Sequence, residues 1–147
     1  MTVRVQSSPF DHGEEINQFS KKVGNAGAIV TFSGIVRNSE NGDLVSMDIE
    51  HYPGMTEKAL GEIAKQAVER WNLENVLVIH RYGSLKPNEP IMMVATAARH
   101  RLAAFEAAEF LMDYLKSRAP FWKKEITAGD ATWVDAKDTD EKALDRW

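Results

Sequence analysis

The sequence predicts an α+β fold with a mixed or mostly antiparallel sheet. Short β-rich runs follow one another in hairpin-like pairs, and helical stretches are inserted between the pairs. The regular strand–helix–strand alternation of a doubly wound fold is absent from this order. With 147 residues, 44% of them hydrophobic, the chain can bury a sizeable core, and we expect a single domain over residues 1–147.

The first third of the chain predicts a strand, a helix and a second strand. Residues 2–6 alternate polar and apolar side chains, as a half-buried strand does. Asp11 with Glu14 three residues later is typical of a capping box, and Gly24 is a suitable helix end. Residues 26–36 form a nearly continuous β-rich run, which favours a central strand.

The middle third predicts a strand, a helix and a pair of strands. Val45, Met47 and Ile49 alternate with polar residues, which indicates a strand with one wet face. Thr56 is a possible N-cap for a helix ending near Trp71, whose apolar residues recur at helical spacing. Two further strands are predicted at residues 76–82 and 91–96, and a Pro-containing loop joins them.

The last third centres on a long helix over residues 99–117, which has no interior Gly or Pro. Pro120 cannot continue that helix, and it favours an extended conformation at Ala119. The remaining predicted elements are a strand at 121–127, a short strand at 132–134 and a terminal helix at 138–147.

Composition excludes several classes of function. The net charge of −4 and the pI of about 5.6 do not indicate a general nucleic-acid-binding surface. No apolar run reaches the length of a membrane span and no apolar leader is recognisable, so we expect a cytoplasmic protein without membrane or nucleic-acid partners. The chain has no cysteine, so disulfides, thiolate metal sites and a persulfide relay are excluded. Any sulfur chemistry would need sulfur carried by another molecule.

A local run of cations stands out in this acidic chain. Lys116 and Arg118 precede Pro120, and Lys123 and Lys124 follow the pair Phe121-Trp122. Basic residues in a last helical turn often only complement the helix dipole. Here the aromatic pair between the lysines favours a fixed, partly desolvated platform for two amines.

Arg37 and Arg101 each allow two interpretations. Arg37 follows a predicted strand, where it is either a solvated strand end or a bidentate phosphate ligand. Arg101 shares a helical arc with Phe105 and Ala108, and on that side it needs an anionic partner, either a ligand or an internal carboxylate.

The four histidines lack the spacing of metal ligands, and Ser33-Gly34 fits strand geometry better than a nucleophile, so we expect no metal and no cofactor.

Several motifs together resemble the large, catalytic subunit of molybdopterin synthase, the MoaE family. They are the strand Thr31 to Arg37, the turn Glu50 to Met55, the pair His100-Arg101 and the stretch Met112 to Glu125. The resemblance covers residues 10–147. One departure is Asn88 in the Pro-containing loop, where many relatives carry Gly.

The resemblance implies an α/β-hammerhead-like fold with two main helices and an additional small antiparallel sheet. It also implies a sulfurtransferase of molybdenum cofactor biosynthesis. A small ubiquitin-like sulfur-carrier subunit would insert its thiocarboxylated Gly-Gly tail into a pocket of this chain. Two sulfurs would pass to cyclic pyranopterin monophosphate and form the dithiolene of molybdopterin. A cationic pocket suits both anions.

Carried over residue by residue, the resemblance implies that Lys116 and Lys123 are catalytic. An ammonium crowded by other cations has a lowered pKa and exchanges protons near neutrality. The implied substrate-binding residues are Ile35, Val36, Arg37, His100, Arg101, Lys116, Lys123, Lys124 and Glu125.

These residues cannot all reach one ligand within one chain. His100 and Lys116 stand at opposite ends of the predicted helix, roughly 24 Å apart along its axis, whereas a pterin monophosphate is far shorter. We therefore predict a homodimer within a heterotetramer, in which each site takes Lys116, Lys123 and Arg37 from one chain and His100 and Arg101 from the other.

Two rival functions remain at this stage. One is a non-enzymatic module that only docks a ubiquitin-like tail. The other is a small RNA-binding domain that uses Arg and Trp for stacking, against which the acidic balance argues.

Overall fold

The computed structural model describes residues 1–135 and 137–147, and it divides the strands between two four-stranded sheets. The elements in chain order are β1 Thr2–Gln6, α1 His12–Ser20, β2 Ala28–Ile35, β3 Leu44–His51, α2 Met55–Trp71, β4 Asn75–Arg81, β5 Gly83–Leu85, β6 Pro90–Ala98, α3 Arg101–Ser117, β7 Phe121–Thr127, β8 Asp130–Trp133 and α4 Asp138–Ala143, followed by a 3-10 turn over Leu144–Arg146.

The first sheet has the order β1-β4-β6-β2, and the second has the order β5-β3-β7-β8. In the first sheet β1 pairs with β4 in parallel, and the other pairings are antiparallel. All pairings in the second sheet are antiparallel. The predicted α+β class, with a mixed sheet, two long helices and an additional small antiparallel sheet, is confirmed.

The core lies on both faces of the central strands β4 and β6. Val76 and Val78 face a cluster that includes residues of α2 and α3, and Leu77 and Ile79 face a second cluster with Phe19 of α1. Because both faces are covered, each of these strands contains a continuous apolar run, Val76–Ile79 in β4 and Ile91–Ala95 in β6, instead of an alternation. The predicted apolar stripe of α2 is buried in the first cluster.

The helix starts differ from the prediction by a residue or two. Helix α2 is capped by Gly54 at φ 85°, whose backbone N–H donates to the Glu57 carboxylate, and not by Thr56. Thr56 lies one residue inside the helix, where its hydroxyl accepts from the Tyr52 backbone N–H at 2.9 Å. Helix α3 begins at Arg101, with His100 in extended conformation as the N-cap residue, and not in the helix as predicted.

At the start of β3, the prediction of which side chains are exposed to solvent is wrong. Val45 is exposed and Ser46 is buried, opposite to a strict alternation with Met47 and Ile49 on the buried side. The pairing of β3 with β7 shifts register between Leu44 and Ser46, and such an irregularity changes which side chains face the core.

The loop between β5 and β6 explains the departure at Asn88. Asn88 adopts a positive φ of 74°, a conformation that Gly takes without strain and that Asn tolerates better than most residues. The turn therefore keeps its geometry without Gly.

The C-terminal segment is a short helix and a 3-10 turn, not the single helix predicted over 138–147. It packs along α3, where Arg146 forms an ion pair with Asp113 at 2.7 Å and Trp147 meets Trp71 and Phe110 edge-on. This packing carries α4 to the end of α3 at which Lys116 lies. Among the described residues, no helix combines the length and apolar character that crossing a membrane requires.

Candidate active site

An open cavity of about 1260 Å³ lies where β2, the end of α3 and the strand β7 meet. Its wall mixes apolar side chains with charged groups of both signs. The residues that carry charge or chemistry there are Ser33, Arg37, Glu40, His80, Lys116, Lys123, Glu125, Asp135, Lys137 and Asp140.

Lys116 and Lys123 reach this cavity because the chain reverses sharply between them. Helix α3 ends at Ser117, and Pro120 prevents its continuation. The Thr56 hydroxyl donates to the Pro120 carbonyl at 3.1 Å, which attaches the reversal to the start of α2. Strand β7 then begins at Phe121, so Lys123 projects from the strand on the same side as Phe121.

The surroundings of Lys123 in the cavity disfavour its charged form relative to that of an exposed lysine. Burial lowers the pKa of Lys123, and the nearby positive charge of Lys116 lowers it further. The Asp140 carboxylate on α4 acts in the opposite direction. A lysine with a lowered pKa can exchange a proton nearer to neutrality than an ordinary lysine can.

His80 forms part of the cavity wall between the two sheets. Its ring is stacked on Phe121 with centroids 3.7 Å apart, and only 5% of the residue is exposed. Burial lowers the pKa of His80 to about 3, and Lys123 contributes in the same direction. His80 is therefore neutral throughout the physiological pH range.

Three further residues named from the sequence lie at or near this cavity. Ile35, Arg37 and Glu125 line it, and Arg37 is exposed. Val36 is fully buried and does not line the cavity. Its backbone N–H donates to the Glu89 carbonyl at 2.9 Å, which holds the end of β2 beside the loop before β6.

Two of the predicted cations point elsewhere. Lys124 projects from the opposite side of β7, and its amine lies 4.3 Å from the centroid of the Trp133 ring. Arg118 forms an ion pair with Glu141 of α4 at 2.7 Å. Neither residue lines the cavity, because alternation along the strand and the end of the helix divide the run of cations.

His100 and Arg101 lie at the far end of α3 and do not line the cavity of their own chain. The prediction that Arg101 faces a buried arc is wrong, because Arg101 is exposed and Phe105 on the same arc is 57% exposed. No internal anionic partner is needed for an arginine in this position.

Sequence reasoning missed His80 and Asp140 as parts of this site. The sequence could have indicated His80 as a candidate site residue, since it is a titratable residue at the end of the fully apolar run Val76–Ile79. No sequence pattern indicates Asp140, because only the packing of α4 on α3 brings it close to Lys123. Among the described residues, no group of His, Asp and Glu side chains has the arrangement of a metal site.

Comparison with known proteins agrees with this arrangement of elements. The sequence model of the MoaE protein family matches residues 5–118. The chain belongs to the MoaE family. A curated MoaE relative, the molybdopterin synthase catalytic subunit of Cereibacter sphaeroides, is 63% identical, with all of both chains covered.

Solved structures of the MoaE family share the fold. The molybdopterin biosynthesis MoaE protein from Burkholderia ambifaria superposes with a TM-score of 0.84 at 48% identity, over 99% of this chain and 97% of that chain. A protein–protein complex of subunits 1 and 2 of the molybdopterin-converting factor from Helicobacter pylori contains a chain with a TM-score of 0.79. It is 17% identical over 92% of this chain and 91% of that chain, so this second likeness concerns the fold alone.

Proposed function

We propose that this chain is the catalytic subunit of a molybdopterin synthase. In this role it transfers two sulfurs from the thiocarboxylated tail of a small sulfur-carrier subunit to cyclic pyranopterin monophosphate. The observation that carries the proposal is the partly buried Lys123 amine beside Lys116 in an open cavity. The proposal keeps the cytoplasmic location expected from the sequence.

The two lysines suit a reaction between anions. A thiocarboxylate and a phosphate both carry negative charge, and ammonium groups at the cavity wall attract both of them. Negative charge that develops during sulfur transfer is stabilised by a cation already in position. Burial and then the neighbouring positive charge of Lys116 lower the pKa of Lys123, which suits Lys123 to carry a proton.

The sulfur has to arrive on a partner, since the chain contains no cysteine. In each transfer the thiocarboxylate sulfur forms a bond to a carbon of the substrate, and a carbon–oxygen bond at that carbon breaks, so that its oxygen leaves as water or on the phosphate. Water then cleaves the bond between that sulfur and the acyl carbon, so the tail leaves as a carboxylate and the sulfur stays on the pterin. A Gly-Gly tail carries no side chains, so its backbone can approach the lysines at the cavity wall closely.

The remaining cavity residues have complementary roles in this proposal. The exposed Arg37 offers a planar fork for the substrate phosphate. Ile35 supplies apolar contact, and Glu125 supplies an acceptor for donor groups of the ligand. Val36 acts through the backbone that positions Arg37, and Lys124 adds to the positive potential from outside the cavity.

His100 and Arg101 enter the same site only if a second copy supplies them, and we propose a homodimer for that reason. The surface around them is suitable for such an interface. Leu102 and Phe105 on the first turns of α3 are 67% and 57% exposed, and the edge strand β2 begins beside Ala98 with Ile29, which is 38% exposed. Apolar groups exposed next to an unpaired strand edge are typical of an interface.

Reconstitution tests the proposed function directly. The chain is mixed with the thiocarboxylated small subunit and cyclic pyranopterin monophosphate, and the dithiolene product is measured by mass spectrometry. Product formation that requires all three components is expected. Tight binding of the small subunit without any product would instead identify a docking module. Binding of RNA that weakens steeply with salt would favour the RNA-binding alternative.

A further inference from the structure

The His80 imidazole presents one edge to the protein and the other to the cavity. Its Nδ1 atom lies 2.8 Å from the backbone carbonyl of Arg81. A carbonyl oxygen only accepts, so Nδ1 carries the proton and donates it there. In a neutral ring this leaves Nε2 as a lone-pair acceptor.

The Nε2 atom has no protein donor. Among residues 1–135 and 137–147, no hydrogen bond joins Nε2 to another group. Nε2 is also not among the side-chain polar atoms that are both unpaired and inaccessible to solvent. Nε2 therefore keeps some accessible surface, and the open space beside His80 is the cavity that this residue lines. Lys123 on β7 is close enough to influence the imidazole, yet the two side chains are not hydrogen-bonded to each other.

We propose that His80 is a ligand-binding residue whose Nε2 accepts a hydrogen bond from an N–H group of the molecule in the cavity. The inference rests on the proposed function in taking that molecule to be the pterin or the Gly-Gly tail. Both carry N–H donors, in the heterocycle and in the peptide backbone. An acceptor at this depth adds to the carboxylate acceptor of Glu125 in a wall that also presents the donors Arg37, Lys116 and Lys123.

The surroundings keep this acceptor neutral and fixed. Burial holds the pKa of His80 at about 3, and the positive charge of Lys123 opposes protonation as well. Lys116 on α3 adds positive charge to the same cavity wall, and Asp140 on α4 lies near Lys123. The guanidinium of the adjacent Arg81 is occupied by the Ser7 and Pro90 carbonyls. The stack on Phe121 fixes the plane of the ring, so Nε2 has one direction in which to accept.

Nitrogen NMR of the protein labelled with ¹⁵N-histidine tests the proposal without relying on turnover. The His80 signals are assigned with the His80→Phe variant. The native protein is titrated separately with cyclic pyranopterin monophosphate, with a peptide ending in Gly-Gly, and with inorganic phosphate. We expect Nε2 to remain unprotonated between about pH 5 and pH 8 and to shift with the pterin or with the peptide. The ligand that shifts it identifies the donor.

No Nε2 shift with either N–H ligand overturns the proposal, as does a shift with phosphate alone or protonation of Nε2 near pH 6.5. If the wild-type chain forms no dithiolene, the sulfur-transfer function fails, while the titration still reports whether His80 binds a ligand. The two failures are therefore distinguishable.

Kinetics separate ligand binding from a structural role. His80→Phe keeps an aromatic ring against Phe121 but removes the acceptor, so KM for the ligand identified by NMR should rise about ten-fold, with kcat affected less. His80→Gln restores an acceptor oxygen and should recover part of that loss. The matched control is His51→Phe, since His51 also stacks on an aromatic ring, Tyr82 at 4.0 Å, and does not line the cavity. Equal KM values for His80→Phe and His51→Phe would contradict the assignment.

Discussion

The Phe121 ring lies flat against the His80 imidazole, with the ring centroids 3.7 Å apart and the planes inclined by 15°. His80 belongs to β4 in the first sheet, and Phe121 begins β7 in the second. The stack therefore joins the two sheets at the cavity and sets where Lys123, two residues further along β7, leaves the strand. The position of a proposed catalytic amine depends on a contact between residues 41 positions apart in the sequence.

Replacement of Lys116 by Ala should abolish most product formation with little change in stability. Lys116 is exposed on the last turn of α3, so the folded state loses little packing. Product formation in the reconstituted reaction and the thermal midpoint are measured together. Lys65→Ala, on the exposed side of α2, is the matched control and should be fully active. A fully active Lys116→Ala variant would remove Lys116 from the mechanism.

Replacement of Arg37 by Lys should weaken substrate binding although the charge is kept. The lysine cannot offer the planar pair of N–H donors that matches a phosphate, and the expected loss is roughly 1–3 kcal/mol. The dissociation constant of cyclic pyranopterin monophosphate is measured by calorimetry. An unchanged constant would show that Arg37 does not hold the phosphate.

Subunit mixing tests the site shared between two chains. Lys116→Ala and Arg101→Ala chains are each expected to be inactive alone. In a mixed dimer, one site combines the intact Lys116 of one chain with the intact Arg101 of the other, so part of the activity should return. Subunit exchange is verified by native mass spectrometry. Verified exchange without recovered activity would rule out the shared site.

The stability of the protein should fall on acidification in part because of His80. Its pKa is 6.5 in an unfolded chain and about 3 in the fold, so between these values the unfolded state binds more protons and stability falls as pH falls. In His80→Phe this contribution is absent, and the free energy of unfolding should decline less steeply from about pH 6.5 towards pH 4. Urea unfolding at a series of pH values measures both slopes. Parallel slopes would show that His80 does not titrate as its burial demands.

Local patterns predicted much of this molecule correctly. The end of α3 before Pro120, the strand that begins at Phe121 and the apolar stripe of α2 all follow from interactions between near neighbours in the chain. Prediction was wrong where pairing between distant strands intervened, as at Val45 and Ser46, because a shift of register exchanges the two faces of a strand.

The sequence by itself determined that Lys116 and Lys123 flank a sharp reversal, that the chain carries no thiol, and that the helix between His100 and Lys116 is too long for one ligand to span. Only the tertiary structure decided that Lys123 enters the cavity while Lys124 lies against Trp133, that Arg101 is exposed on its own chain, and that His80 and Asp140 lie at the cavity. The reason is physical. Backbone propensity acts over a few residues, whereas burial and charge depend on which distant segments pack together.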